Sequence, residues 1–291
     1  MPRESILSFE EIVKVAESAV SLGVNRFRIT GGEPLQRRGV VDLVAKLRAI
    51  PGVEGIGLTT NAERLAPMAK NLFEAGVDKV NISIDTLNPE RFHRLTRVDR
   101  LQQVLEGIEA AGALGFRSRK LNCVPLRGVN DDELAELLSF AKESGFELRF
   151  IEFMPFGSNW SQSQVLSDVE VLAAIEAVHG RARLLPRIPG DTSRRYRLGD
   201  GTLFGIIPTS SSPFCGDCDR LRLTADGQLM SCLFADKGVD VRALLRSGAT
   251  LEELTGAFWR SLEEKGMGYM AELARGERFA DPERNMKRIG G

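Results

Sequence analysis

The stretch "NRFRITGGEPLQRRGVVDLVAKLRAIPGVEGIGLTTN", residues 25–61, contains two strand-like runs with a helical run between them. The runs "NRFRIT" (25–30) and "GIGLTT" (55–60) are rich in β-branched or aromatic residues and are bounded by turn formers, which is typical of strands. Residues 39–49 place apolar side chains at helical spacing. A strand, a helix and a strand in this order connect two parallel strands. The stretch therefore predicts a parallel sheet.

The same unit recurs along the first half of the chain. Further strands are predicted at 79–85, 119–124 and 147–153, and further helices at 9–22, 64–75, 101–114 and 131–144. Strands follow one another at roughly 25–35 residues, the size of a βα unit. The repeat predicts an α/β fold and leaves open whether the sheet is doubly wound or forms a barrel or partial barrel. In both, functional residues gather at the carboxyl ends of the strands.

This regular repeat ends at about residue 154. The polar stretch "GSNWSQSQ" (157–164) is followed by a predicted helix at 168–179, a segment rich in turn formers at 187–201 and a short strand at 205–208. We therefore predict two parts, a βα part over residues 1–154 and a C-terminal part over residues 155–291.

Composition excludes several classes of protein. The net charge of -1 gives no general attraction to nucleic acid. The apolar runs are too short to cross a membrane, and "MPRESILSFEE" has no apolar signal-peptide core. A cytoplasmic protein is predicted. Three of the four cysteines lie close together in sequence, which favours a metal site in a reducing compartment over a disulfide framework.

Basic residues lie on strands that should be largely buried. By the alternation of a strand, Arg26 and Arg28 share one face, and Lys120 and Arg149 lie on later strands. Buried positive charge is costly unless it is paired. One interpretation is ion pairing with carboxylates, for which the candidates are Glu33, Asp85 and Glu152. The other is a pocket for a polyanion such as a triphosphate.

The cysteine segment "SPFCGDCDRLRLTADGQLMSC" (212–232) allows two metal sites. Cys215, Cys218 and Cys232 could bind structural zinc, which needs a fourth ligand. The spare candidates for that ligand are Cys123, His93 and His179. Three thiolates could instead hold a four-iron cluster with one iron open to a substrate. If Arg220 and Arg222 lie on one strand, they point the same way, toward an anion.

Motifs along the chain, from residue 7 to residue 291, resemble those of the GTP 3′,8-cyclase family of molybdenum cofactor biosynthesis. This is a family of radical S-adenosylmethionine (SAM) enzymes. The motifs are "LSFEEIV", "RITGGEP", "LTTN", "NISID", "KLNCV", "RGVNDDE", "LRFIEFM", "FCGDCDRLRLTADG", "CLF" and the terminal "IGG". The resemblance implies an incomplete parallel βα barrel with a C-terminal iron–sulfur part. It also implies a lyase that converts GTP to (8S)-3′,8-cyclo-7,8-dihydroguanosine 5′-triphosphate with a radical derived from SAM.

The resemblance also implies site residues and partners. The ligands of a C-terminal [4Fe-4S] cluster would be Cys215, Cys218 and Cys232. GTP would be bound by Arg26, Arg28, Thr59, Lys120, Arg149, Arg220 and Arg222. SAM would be bound by Gly31, Gly32, Glu33, Ser83 and Met154. No catalytic side chain is assigned. The implied partners are GTP, SAM and a reductant protein, with a homodimer as the candidate assembly and with neither nucleic acid nor membrane.

One departure from the family pattern is large. The family carries Cys-x3-Cys-x2-Cys, which holds a second [4Fe-4S] cluster, before the position of Leu7, and the residues that precede Leu7 contain no cysteine. We therefore expect a truncated form that does not cleave SAM by itself. The alternatives are a GTP-binding single-cluster paralogue without radical chemistry and a zinc-stabilised phosphate-binding barrel. Smaller departures are Ala62 and Val98, where the family pattern has glycine.

Overall fold

The computed structural model describes residues 3–156, 160–188, 190–213, 215–235, 237–263 and 265. The terminal "IGG" and the first residues of the polar stretch at 157–164 lie outside the described residues, as does the first residue of "FCGDCDR". No helix in the described ranges is both long enough and apolar enough to span a membrane.

The main sheet has eight strands in the described residues, and six of them run parallel in spatial order. The parallel strands are β1 (Arg26–Ile29), β2 (Gly55–Thr60), β3 (Lys79–Ser83), β4 (Ser118–Cys123), β5 (Glu147–Ile151) and β8 (Leu203–Ile207). Two antiparallel strands, β7 (Arg194–Leu198) and β6 (Ala182–Leu184), extend the sheet beyond β8. The sheet does not pair its two outer strands with each other, so it is an open, mostly parallel sheet of the predicted α/β class.

Helices precede or connect the strands of the main sheet, and all of them except the one at 89–96 were predicted. They are α1 (Phe9–Ser21), α2 (Val40–Arg48), α3 (Ala69–Glu74), α4 (Pro89–Thr96), α5 (Leu101–Gly112), α6 (Leu134–Glu143) and α7 (Asp168–His179). The start of α1 is fixed by a capping box, in which Ser8 and Glu11 bond each other's backbone N–H. The helix predicted at 64–75 begins later, at Ala69, because the residues before it form turns.

The segment at 187–201 was predicted as turns, and this is wrong for its second half. Residues 194–198 form β7, which pairs with β8. The strand predicted at 205–208 is longer, since β8 begins at Leu203. Strand β8 lies beside β5, so the main sheet continues past residue 154. The division at residue 154 stays a prediction.

A smaller unit follows the main sheet. It contains the short strands β9 (Arg222–Leu223), β10 (Gln228–Met230) and β11 (Val239–Asp240) and the helices α8 (Val241–Arg246) and α9 (Leu251–Glu263). Its apolar side chains pack against Val15 and Ala19 of α1. The backbone N–H of Leu7 also donates to the carbonyl of Ala225 at 2.8 Å. These contacts hold the cysteine-bearing segment beside the first βα unit.

The two faces of the parallel strands differ in chemistry. Side chains on one face are fully buried and apolar, for example Ile56, Val80 and Phe150. The alternate positions carry polar or charged side chains; we call them the polar face. They are Arg26, Arg28, Thr59, Lys79, Asn81, Ser83, Lys120, Asn122, Glu147 and Arg149. Parallel sheets are normally apolar on both faces. A polar face therefore indicates a binding surface.

Candidate functional site

Two arginines of the polar face meet at one asparagine. In the amide orientation that satisfies its neighbours, Asn81 Oδ1 accepts from Arg149 Nη2 at 2.8 Å and from Arg28 Nη1 at 2.9 Å. Arg149 also donates to Asn122 Oδ1, from Nε at 3.0 Å and from Nη2 at 2.8 Å. Arg28 donates to Thr59 Oγ1 at 3.4 Å. The guanidinium groups are thus positioned by neutral groups, which leaves their charge available to a ligand.

The absence of a side chain at Gly57 makes room for Arg28. A Cβ placed on Gly57 would lie 3.1 Å from Arg28 Cζ, which is closer than ordinary van der Waals contact. The Arg28 guanidinium therefore lies flat against the bare backbone of β2. Glycine weakens a strand interior, and it often marks a close approach of this kind.

Lys120 forms an ion pair with a partner that the sequence did not predict. Its Nζ lies 3.1 Å from Glu147 Oε1, and Arg195 Nη2 lies 3.4 Å from Glu147 Oε2. The buried Arg195 Nε has no hydrogen-bond partner among the described residues. The ion-pair interpretation is thus correct for Lys120, but its partner is Glu147.

The three carboxylates named as candidate partners bind elsewhere. Glu33 accepts from Leu35 N at 2.9 Å, Thr60 Oγ1 at 2.7 Å and Asn61 N at 2.7 Å. Asp85 accepts from Val124 N, and burial raises its pKa to about 6. Glu152 accepts from the N–H groups of Ser210 and Ser211. Each fixes a loop at the carboxyl end of a strand, so none neutralises Arg28 or Arg149.

The polar face consequently holds uncompensated positive charge. Burial, and then the charge of the neighbouring Arg28, lower the pKa of Arg149 to about 10, and the charges of Glu147 and Asp191 oppose this. The pKa of Arg28 is lowered as well, first because the surrounding protein desolvates its guanidinium and then because of the charge of Arg220. Both groups stay charged at neutral pH. Like charges held together in this way are expected where an anion binds.

The residues implied for SAM follow the carboxyl ends of three strands. Gly31, Gly32 and Glu33 come directly after β1, Ser83 ends β3, and Met154 follows β5. Gly31 has φ of 136°, a backbone conformation that L side chains rarely adopt. The implied SAM residues therefore lie at one edge of the sheet, and the implied triphosphate residues lie further along the polar face toward the amino ends of the strands.

The cysteine segment lies beside the same face. Arg220 is close enough to lower the pKa of Arg28, and it contacts Cys218. Arg222 lies in a strand, β9, but Arg220 does not, so the alternation argument for these two arginines does not apply. Burial, and then Arg220, lower the pKa of Arg222 to about 10, and the charges of Cys232 and Cys218 oppose this.

The thiols have the chemistry of metal ligands. Burial raises the pKa of Cys218, but the backbone N–H and guanidinium of Arg220 and the ammonium of Lys265 outweigh burial and place the pKa below its ordinary value. Phe234 N donates to Cys232 Sγ at 3.4 Å. A thiolate stabilised by cations and by backbone N–H groups suits a metal or cluster.

The spare zinc ligands are engaged elsewhere. Cys123 is fully buried on the apolar face of β4, and burial raises its pKa well above the ordinary value. His93 Nδ1 contacts Asp99 at 2.7 Å, and His179 Nε2 contacts the Ala135 carbonyl at 2.9 Å. Within the described ranges, no three His, Cys, Asp or Glu side chains converge closely enough to hold a single metal ion.

Comparisons with known proteins give a consistent result. The family described as "Radical SAM superfamily" matches residues 1–141, and "Molybdenum Cofactor Synthesis C" matches residues 146–271. A GTP 3′,8-cyclase of Thermodesulfovibrio yellowstonii is 40% identical over 100% of this chain and 89% of the relative. GTP 3′,8-cyclases of Acidothermus cellulolyticus and Pseudomonas syringae pv. syringae are 43% and 44% identical over 89% and 85% of this chain, and over 75% and 76% of the relatives. The chain belongs to the GTP 3′,8-cyclase family, whose two characteristic regions, radical SAM and molybdenum cofactor synthesis, it contains in that order.

Proposed function

We propose that this protein binds GTP on the polar face and acts in molybdenum cofactor biosynthesis as a GTP 3′,8-cyclase. The observation that carries the proposal is the pair of arginines, Arg28 and Arg149, held on Asn81 without a carboxylate partner. A triphosphate supplies the missing negative charge and accepts the charge-assisted hydrogen bonds that guanidinium groups make best. Lys120 contributes a further cation at the same face.

The guanine would then lie toward the cysteine segment. Arg220 is next to both Arg28 and Cys218, so it connects the two regions. We propose that Cys215, Cys218 and Cys232 hold a [4Fe-4S] cluster, which supplies an iron without a protein ligand for a substrate atom. Zinc requires sulfurs only about 3.8 Å apart around one ion, given Zn–S bonds of about 2.3 Å. A cluster spreads its thiolates over different irons and needs no such convergence.

The residues of this chain do not fit the SAM-binding cluster of the family. Apart from the three cysteines just named, the chain has Cys123, which is buried on the opposite face of the sheet. The residues at the carboxyl ends of β1, β3 and β5 are proposed to contact SAM, and Ser83 is exposed there. A reductant protein and a homodimer are part of the proposal.

Turnover under anaerobic conditions tests the proposed function. The 291-residue chain, and the same chain extended before Leu7 by a strand with Cys-x3-Cys-x2-Cys, are incubated with GTP, SAM and a reductant. We expect both to bind GTP and only the extended chain to form 5′-deoxyadenosine and the cyclised triphosphate. GTP bound by the extended chain without either product would favour a non-enzymatic GTP-binding protein. 5′-Deoxyadenosine from the unextended chain would show that its own residues suffice for SAM cleavage.

Metal content separates the two interpretations of the cysteine segment. After anaerobic reconstitution we expect about four irons per chain at this segment. Replacing Cys218 with alanine is expected to remove most of that iron, whereas replacing Cys123 with alanine is expected to leave it unchanged. Stoichiometric zinc with no iron would instead identify a structural zinc site.

A further inference from the structure

A second group of cations lies at the amino ends of the strands, away from the carboxyl ends where the implied SAM residues lie. It consists of Arg26 at the start of β1, Lys79 at the start of β3 and Arg117 just before β4. Within the described part of the chain, none of the three forms a hydrogen bond or an ion pair. We call this group the lower cluster. Neither the sequence motifs nor the comparisons assign a role to Lys79 or Arg117.

The lower cluster surrounds a strand segment without side chains. Gly55 and Gly57 begin β2 on the polar face, in register with Arg26 and Arg28 of β1. A Cβ on Gly55 would lie 3.5 Å from Arg117 Nη2 and 3.6 Å from Arg26 Cγ. Asp78 Oδ2 would lie 3.8 Å from the same Cβ, so the Arg117 guanidinium, the apolar stem of Arg26 and this carboxylate meet over the bare backbone at Gly55. The two glycines leave space that side chains would fill.

Charge in this space is poorly compensated. Burial lowers the pKa of Lys79, and four cations lower it further. These cations are Arg117, Arg26, Arg28 and Lys120. The adjacent carboxylate is Asp78. Burial raises its pKa, but the Ile56 N–H, the Arg48 guanidinium and the charge of Arg117 together outweigh burial, so the pKa of Asp78 is lowered. Asp78 Oδ2 pairs with Arg48 and accepts from Ile56 N at 2.7 Å, so it is already engaged.

The lower cluster continues the row of cations assigned to the triphosphate. Lys79 is in register with Gly57, which in turn is in register with Arg28. Arg26 lies two residues before Arg28 on the same face, a distance of about 6–7 Å along a strand. An extended anion bound at Arg28 and Arg149 would therefore reach the lower cluster with its far end.

We propose that Lys79, Arg117 and Arg26 form a subsite for the terminal phosphate of the bound nucleoside triphosphate. The subsite makes the protein select a triphosphate over a diphosphate. This inference rests on the proposed function, because it assumes that a guanine nucleotide occupies the polar face. The same chemistry would suit free phosphate, and the experiment separates the two sources.

The test compares nucleotide affinities of the reconstituted protein and its Lys79→Met and Arg117→Met variants. Each change removes a cation and keeps the unbranched apolar stem of the side chain. We expect either variant to weaken GTP binding by about tenfold, from the loss of one charge-assisted contact, and to leave GDP binding unchanged. Lys70→Met is the matched control, since Lys70 is exposed and pairs only with Glu74 at 3.8 Å. It is expected to leave both affinities unchanged.

Three results would overturn the subsite. The first is an equal loss of GTP and GDP affinity in Lys79→Met, which would indicate that the charge of Lys79 attracts both nucleotides without contacting the terminal phosphate. The second is unchanged affinity for both nucleotides. The third is inorganic phosphate that binds with undiminished affinity when GTP is already bound, which would indicate an independent anion site.

Inorganic tripolyphosphate separates failure of the subsite from failure of the proposed function. If the wild-type protein bound no guanine nucleotide, the proposed function would fail. Tripolyphosphate binding that Lys79→Met weakens about tenfold would still support an anion subsite there. Tripolyphosphate binding that is absent, or that Lys79→Met does not change, would overturn it.

Discussion

Replacing Arg149 with methionine is expected to weaken GTP binding by about a hundredfold while the melting temperature stays unchanged or rises slightly. Hydrogen bonds to charged groups contribute about 1.5–3 kcal/mol each, and about 1.4 kcal/mol is a factor of ten in affinity. The Arg149 guanidinium presents two such bonds to a triphosphate. In the unliganded protein, however, the guanidinium is partly buried beside Arg28, and both burial and Arg28 lower its pKa to about 10.

The lowered pKa determines the sign of the stability effect. A cation whose pKa is lower in the folded state than in the unfolded state costs stability wherever it remains charged, which includes neutral pH. Methionine removes this cost and keeps most of the apolar contact. The cost in wild-type protein should fade only as the pH rises through about 10 toward the unfolded pKa of about 12.5.

Calorimetric titration with GTP and thermal unfolding measure the two effects separately. Arg127→Met is a suitable control, because Arg127 is about half exposed and pairs with Glu170 at 2.7 Å. It should change neither affinity nor, by more than a degree or two, the melting temperature. A large loss of stability in Arg149→Met with unchanged GTP affinity would identify Arg149 as a structural residue.

The parallel strands could be predicted because their signal is local. Each of β1 to β5 is a short run bounded by turn formers, and each was placed within two residues of its observed ends. Strand β7 was not predicted, because the segment around it is rich in turn formers and its strand conformation depends on pairing with β8. Contacts between distant segments decide such cases, and periodicity does not contain them.

The site was predictable in its cations and not in their partners. Alternation along β1 correctly placed Arg26 and Arg28 on one face, but Asn81 and Glu147 became evident only once the register of neighbouring strands was known. Ala62 shows that the backbone conformation, too, became evident only from the structure. It adopts φ of 63°, and its carbonyl oxygen would lie 2.6 Å from a Cβ on Gly107. Glycine, which the family pattern places at 62, adopts this positive φ more readily than alanine.

Converting Asn81 to aspartate is expected to move stability and function in opposite directions. The substitution is nearly isosteric, and it places a carboxylate where Arg28 and Arg149 already converge at 2.8–2.9 Å. The carboxylate would then pair with both guanidinium groups and offset one of their two positive charges. We expect the melting temperature to rise by about 2–5 °C, for a gain of about 1–2 kcal/mol. GTP affinity should fall by about a hundredfold or more, because the new charge competes with the triphosphate.

The pH dependence and a neutral variant make this prediction specific. The new carboxyl would have a pKa lowered by two guanidinium groups, so its stabilisation is present above the unfolded pKa of about 3.9 and is lost as the pH falls toward the folded value.

Asn81→Leu removes the acceptor without adding charge, so it should lower both the melting temperature and, less severely, GTP affinity. If Asn81→Asp lowered the melting temperature as much as Asn81→Leu, the two arginines would not be held in mutual repulsion. Other groups would then balance the charge of the polar face, and the case for an anion site at Asn81 would fail. A rise in stability accompanied by loss of GTP binding is the outcome that only a ligand-directed pair of cations explains, since a structural pair would gain from the carboxylate without any cost to nucleotide affinity.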